Sequence, residues 1–236
     1  MRRLRYYPPI LGYHRVGAAC GDHVPTVSAE VFERHLEYLA RRHYRVLSLE
    51  EVADCLEHRR PLPRRSTVIT FDDGYVETYS IALPLLKRFG FPSIVFIAPG
   101  EVGWKGFVTW DHVRAMAEQG MSIGSHTVHH SYLPLVPRQR LAEELVESKH
   151  LIESQIDRPV HFISYPIGGF TPEVQEIVRE AGYRAACTTN RLSRMKAIDR
   201  FALRRIKITE RDRHLLWFRV KMSGYYDAFR QLEQSS

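Results

Sequence analysis

The chain has 236 residues, 44% of them hydrophobic and 26% charged, which excludes a disordered or fibrous protein and allows one domain with a sizeable core. Its three cysteines, Cys20, Cys55 and Cys187, are odd in number and widely spaced, so neither a disulfide framework nor a zinc ribbon is expected. A net charge of +7 and a pI near 9.4 favour contact with something acidic, but the clusters Arg41-Arg42-His43 and His58-Arg59-Arg60 stand where helices end, where cations complement the helix dipole.

In chain order, residues 1–9 carry the positive charge of a signal peptide without the apolar stretch that should follow, so a cytoplasmic protein is expected. Apolar runs such as Ile94-Val95-Phe96-Ile97-Ala98 fall far short of the roughly 20 residues that cross a bilayer. A first strand ends at Tyr13-His14. Ser28 caps a helix whose Phe32, Leu36 and Leu39 share one face. A strand over 44–47 precedes a capping box, Ser48 with Glu51, that opens a second helix. The run Ser66 to Phe71 is a buried strand closed by Asp72-Asp73-Gly74.

Strands and helices then alternate: a helix over 76–89 stopped by Gly90, a strand over 93–98, and a helix over 110–119 capped by Thr109. A strand over 121–125 leads into Ser125-His126-Thr127-Val128-His129-His130. A long helix over 138–155, a strand over 160–165 and a helix opened by Thr171-Pro172 follow. Strands over 183–188 and 202–208 and a terminal helix at about 212–235 complete one domain spanning 1–236. Repeated units with continuous apolar strands imply a parallel sheet covered on both faces, either barrel or doubly wound. The barrel is preferred, because the polar clusters all lie at C-terminal strand ends, which a barrel gathers on one rim.

Asp-Asp-Gly alone is an ordinary helix-capping turn, but a turn at Gly74 can also send one carboxylate to a metal while its neighbour stays ionised beside the cation. His126 and His130 are four apart, so on one helical turn their imidazoles project to the same side, as two metal ligands require; His129 points elsewhere. A carboxylate, two imidazoles and a spare carboxylate together suggest metal-assisted hydrolysis.

Thr70-Phe71-Asp72-Asp73-Gly74 and Ser125 to His130 resemble the first two motifs of the NodB-type polysaccharide deacetylases, carbohydrate esterase family 4. Tyr13-His14-Arg15-Val16, the stretch 32–49, Tyr165-Pro166-Ile167-Gly168 and Arg204-Arg205-Ile206 extend the resemblance over most of the chain. It implies an α/β fold, a distorted (β/α) barrel of parallel strands surrounded by helices, and a metal-dependent carbohydrate de-N-acetylase. On that pattern Asp72 is the catalytic base, and Asp73, His126 and His130 hold a divalent ion, with zinc as the default and Co2+, Mn2+ or Ni2+ as alternatives. Stabilisation of the oxyanion would come from the metal and the backbone N–H of Ile167 after Pro166, with Tyr165 beside them. For Tyr165 an ordinary role at a strand end is the alternative.

The chain departs from the pattern twice. The arginine that usually orients the base is replaced near the third motif by Ser164 and Tyr165; Arg205, on a later strand, is the candidate substitute, and an ordinary strand salt bridge is its alternative. The leucine-histidine motif that protonates the leaving amine is not recognisable, and His14 is the first candidate for that acid, ahead of His214.

The tail from His214 to Met222, with Tyr225, Tyr226 and Phe229, mixes apolar residues with cations; packing on the barrel is preferred to peripheral contact with the inner face of a membrane. The expected substrate is an N-acetylated amino sugar in a polysaccharide, an oligosaccharide or a lipid-linked precursor. Hydrolysis of another small amide such as a formamide, and a catalytically silent carbohydrate-binding protein, are the alternatives. No nucleic-acid-binding motif is evident. There is no Gly-Lys-Thr or Gly-Lys-Ser loop.

Overall fold

A computed structural model describes residues 8–18, 24–190, 198–224 and 226 of the chain. Strand β1 (Ile10–Tyr13) comes first, then a small parallel ribbon of β2 (Arg15–Val16) and β3 (Thr26–Val27). Ser28 accepts from the Val31 N–H and starts α1 (Ala29–Arg41), which buries Val31, Phe32, Leu36 and Leu39 on one face. After β4 (Arg45–Val46), the reciprocal Ser48 and Glu51 capping box starts α2 (Leu49–Glu57).

The alternation then proceeds through β5 (Ser66–Phe71), α3 (Leu83–Phe89), β6 (Ile94–Ile97), α4 (Trp110–Glu118) and β7 (Ser122–Ser125). It continues with α5 (Arg138–Ala142), α6 (Ser148–Ile156), β8 (Phe162–Ser164), α7 (Pro172–Glu180), β9 (Ala185–Thr188), β10 (Leu203–Lys207) and α8 (Leu215–Lys221).

Two expected helices are not continuous. Between 76 and 89, Thr78–Ala82 forms a wide π-type turn before α3, in which the Leu83 N–H reaches the Thr78 carbonyl. Pro84 explains it: a proline ring crowds the carbonyl four residues back, and widening the preceding turn makes room. The expected helix over 138–155 is split likewise by a π-type turn at Glu143–Glu147 between α5 and α6. The expected terminal helix is shorter at both ends: a 3-10 turn at Glu210–Arg213 precedes α8, and α8 closes at Lys221 with Met222 as its cap. Tyr225, Phe229 and Cys20 lie outside the described residues.

Seven parallel strands close on themselves in the order β1-β10-β9-β8-β7-β6-β5, with β5 pairing back to β1 from Ile10↔Val68 to Tyr13↔Phe71. β4 adds two residues to the start of β5. The result is a parallel barrel surrounded by helices.

Because side chains alternate across a strand, each strand contributes to two cores. Leu11, Ile69, Val95, Ile97, Ile163 and Ala186 face the helices and join one cluster. Their neighbours Ile10, Val68, Ile94, Phe96, Phe162, Ala185, Cys187 and Leu203 form the second, together with Leu49, Val52 and Ala53 of α2. Helix α2 therefore covers the N-terminal mouth of the barrel. Going two residues further along the same strands reaches Gly12, Thr70, Ser164 and Arg205, and four further along β1 and β5 reaches His14 and Asp72. The inward positions thus change from apolar to polar toward the C-terminal rim. Gly124 leaves space at this level: a Cβ there would stand 2.5 Å from the Phe96 ring.

Helix α8 packs on the outside through Phe218 and Met222, and the Phe218 ring stacks on His35 at 3.9 Å between centroids. Its other side chains, Leu215, Leu216, Trp217 and Val220, are exposed. Among the described residues no helix is long and apolar enough to cross a membrane.

Candidate active site and cation-binding cluster

Asp72 and Asp73 part company at the end of β5. Asp73 (φ 70°) and Gly74 (φ 79°) both take left-handed backbone conformations, so the chain turns sharply after Asp72. Gly74 is needed for space as well, since a Cβ there would lie 2.9 Å from Ile97 Cγ2. Asp72 stays on the inward parity of β5, 3% exposed, and Asp73 swings to the rim.

Arg205 comes to Asp72 from across the barrel on β10. Its two terminal nitrogens donate to the two carboxylate oxygens at 2.7 Å and 2.5 Å, a bidentate fork. The same guanidinium donates to Thr70 Oγ1 at 3.0 Å and Ser164 Oγ at 2.8 Å, which fixes its plane. Burial pushes the Asp72 carboxyl pKa up, but the Arg205 charge, His126 and the paired hydrogen bonds outweigh it and hold it well below the usual carboxylate range. A buried carboxylate is thereby kept ionised.

Asp73, His126 and His130 converge from two loops, each offering an atom within 4.8 Å of the others. Asp73 Oδ1 stands 3.4 Å from Nε2 of both His126 and His130. The His126 Nδ1 lies 2.7 Å from the Ser164 carbonyl, to which it can only donate, so Nε2 of the neutral ring turns a lone pair toward Asp73. Asp73 Oδ1 is buried and accepts no hydrogen bond. Three electron-pair donors facing one point, one of them a buried oxygen with no donor of its own, fit a divalent cation. Burial disfavours charge on His126, yet Asp72 and Asp73 overcome this and raise its pKa, while burial and His126 lower that of His130.

The two histidines do not share a helical turn, contrary to the expectation from their spacing. Residues 126–130 form a loop with positive φ at Thr127 (65°) and His130 (53°), which brings the rings together at 4.8 Å between centroids. Side-chain hydrogen bonds replace helical ones: Ser125 Oγ accepts the Thr127 N–H and Thr127 Oγ1 accepts the Ser131 N–H. His129 points away, as expected, with its Nδ1 3.0 Å from Glu144.

His14, following β1, has Nε2 3.9 Å from Asp72 Oδ2. Burial lowers its pKa, opposed by Asp72 and Asp73 and aided by Arg205 and Lys207. Tyr165 does not offer a polar atom to the site: its ring is buried, stacked on Phe170, and its hydroxyl donates to the Phe201 carbonyl. Pro166 is buried and Ile167 is exposed at φ 57°; the turn's own hydrogen bonds run from the Gly168 and Gly169 N–H groups and leave that of Ile167 out. His214 lies on the exposed side of the chain before α8.

Sequence reasoning passed over Thr70 and Ser164 as supports of Arg205, and over Glu144. The first two were detectable, because each sits on the inward parity of its strand, Thr70 two residues before Asp72. Nothing local marks Glu144.

Comparison with known proteins identifies the family and the fold. A family model described as Polysaccharide deacetylase matches residues 59–186. YxkH of Bacillus subtilis (strain 168), which carries the polysaccharide deacetylase name, is 30% identical over 201 residues, covering 85% of this chain and 71% of that protein. A poly-beta-1,6-N-acetyl-D-glucosamine N-deacetylase of Staphylococcus aureus (strain N315) is 24% identical over 67% of this chain, which spans 59% of that protein's length. Among solved structures, the Streptococcus pyogenes deacetylase PplD in complex with acetate superposes with a TM-score of 0.82 at 25% identity, covering 92% of this chain and 98% of that one. IcaB from Ammonifex degensii gives 0.79 at 25% identity, covering 94% and 97%. With its closed parallel barrel and the family's sequence pattern over more than half its length, the chain belongs to the NodB-type polysaccharide deacetylases, carbohydrate esterase family 4.

Proposed function

We propose that the protein is a metal-dependent hydrolase that removes N-acetyl groups from an amino sugar in a polysaccharide, an oligosaccharide or a lipid-linked precursor. The observation that carries this reading is the convergence of Asp73, His126 and His130 beside an ionised Asp72 locked in the Arg205 fork. Asp73, His126 and His130 hold the ion, zinc by default, which when bound supplies Lewis acidity to the attacking water and the amide carbonyl.

Asp72 is the base that takes the proton from water. Arg205, with Thr70 and Ser164 behind it, keeps that carboxylate fixed and charged before each turnover. Ile167 presents its N–H on the rim, where a carbonyl oxygen that gains negative charge can accept it. His14, whose Nε2 stands 3.9 Å from the Asp72 oxygen that Arg205 also binds, gives a proton to the departing amine, so that the sugar leaves as a neutral amine rather than an anion.

Acetate release from short N-acetylglucosamine oligomers, measured together with metal content, tests the proposal. Wild type should hold one divalent ion per chain and release acetate. Asp72→Asn should retain the ion and lose turnover by about 100-fold or more. Formate release from N-formyl sugars without acetate release would shift the reading to another small amide, and a metal-free, inactive wild type would sink it.

Peripheral contact with an anionic bilayer is the partner we infer for α8. Its exposed Leu215, Leu216, Trp217 and Val220 are accompanied by exposed Arg211, Arg213 and Arg219, a pairing of apolar and cationic groups suited to a lipid surface. Flotation with phosphatidylglycerol vesicles, lost in Leu216→Ser/Trp217→Ser, tests it; equal flotation of both proteins counts against it.

A further inference from the structure

The loop that carries His126 and His130 is held by one carboxylate from another element. Glu144 lies in the π-type turn between α5 and α6, 4% exposed. Its Oε2 accepts from the Val128 N–H at 2.9 Å and the His129 N–H at 3.1 Å. Its Oε1 accepts from the Ser131 hydroxyl at 2.8 Å and lies 3.0 Å from His129 Nδ1. Residues on both sides of His130 are thus tied to a single side chain. On the opposite side, the Gly100 N–H donates to the Val128 carbonyl at 2.9 Å, and a Cβ at Gly100 would lie 2.8 Å from that oxygen.

Such fastening answers a need of this loop. Thr127 and His130 are non-glycine residues in the left-handed region, where each costs about 1 kcal/mol or more and persists only if its surroundings over-determine it. The two imidazoles also differ in support. The Ser164 carbonyl fixes the His126 ring, whereas among the described hydrogen bonds none reaches the His130 ring. The His130 ring meets Asp73 and the His126 ring, and where it starts from is set by the backbone on either side of it, which Glu144 holds.

We propose that Glu144 is a positioning residue for the cation site: by clamping the backbone from Val128 to Ser131 it aims His130 at Asp73 and sets the affinity for the ion. This rests on the reading that Asp73, His126 and His130 hold a divalent cation. Glu144 touches neither ion nor substrate, and its effect passes entirely through His130. Its carboxylate is suited to the task, because the bonds from His129 and Ser131 overcome burial and keep its pKa below the ordinary value.

The test measures metal binding without turnover. Metal-free wild type, Glu144→Gln, Glu144→Asp, Ser131→Ala and His130→Ala are titrated with Zn2+ against a chromophoric chelator, and with Co2+ for its visible absorption spectrum. Glu144→Gln places an amide N–H2 against a site lined with donors and should weaken Zn2+ binding by about 10–100-fold, the range for outer-shell partners of metal ligands. Its Co2+ spectrum should move toward that of His130→Ala, with the far-ultraviolet circular dichroism unchanged. Ser131→Ala, which removes one bond from the clamp and leaves Glu144 in place, should lose severalfold and serves if the Gln variant does not fold. Wild-type affinity and spectrum in both Glu144→Gln and Ser131→Ala would overturn the clamp and leave the cation site standing. Failure of wild type to bind either ion would overturn the site and the clamp with it.

Discussion

Replacing Arg205 with methionine removes a buried guanidinium while roughly keeping its volume, and the consequences follow from its four hydrogen bonds. Two go to Asp72, one to Thr70 and one to Ser164, all within the barrel. Breaking a buried ion pair by deleting one partner costs about 3–5 kcal/mol, because the surviving charge stays out of water without compensation. The pH dependence is more diagnostic than the size. In wild type the Asp72 pKa is depressed, so its contribution to stability is present above the unfolded value of about 3.9 and lost as pH falls through the folded value.

Without Arg205, burial is opposed chiefly by His126 and His14, and the folded pKa moves upward. The deficit of the variant relative to wild type should therefore widen as pH rises, since the unpaired carboxylate must then be charged. Urea unfolding of metal-free Arg205→Met and wild type, followed by tryptophan fluorescence from pH 4.5 to pH 8, measures this. The double variant Asp72→Asn/Arg205→Met should recover much of the loss, giving a coupling energy above about 1 kcal/mol. A deficit below about 1 kcal/mol that does not change with pH would refute the argument that the fork keeps Asp72 ionised.

Three further expectations concern other parts of the molecule. His14→Ala should lower kcat by about 100-fold or more at unchanged metal content, and full activity across the pH profile would remove His14 from the role of acid. Burial pushes the His35 pKa down to about 4 from 6.5, so the unfolded chain takes a proton that the folded one refuses, and stability should fall as pH drops from 6.5 to 4. The full effect is about 3 kcal/mol, and His35→Gln should flatten that slope in urea unfolding; an unaltered slope assigns the pH dependence to other groups. Gly124→Ala should cost about 1–3 kcal/mol through its clash with the Phe96 ring, with relief in a Phe96→Leu background; a cost equal in both backgrounds would show that the ring is not the obstacle.

The elements of this barrel are written locally. Capping at Ser28, Ser48, Thr109 and Thr171, and the stop at Gly90, are fixed by side chains within a few residues of the backbone groups they satisfy, and the structure places helix ends there. Inward and outward faces follow from the two-residue period of a strand, which also puts Thr70 and Asp72 on one side of β5. The wide turn before Pro84 has a local cause too, although a regular helix was the simpler expectation.

What the chain could not state locally is which inward groups meet. Arg205 reaches Asp72 because closure of β10 against β1, and β1 against β5, brings together residues 133 apart in sequence. The His126 to His130 spacing suggests a helical turn, and the loop instead takes two left-handed residues because Ser125, Thr127 and Glu144 satisfy its backbone. Glu144 carries no local signal at all, being one glutamate among several in the turn between α5 and α6. Sequence alone determined the alternation of strands and helices and the residue types at the rim; closure of the barrel decided which of those residues touch, since contact between distant strands is set by register and curvature rather than by neighbours in the chain.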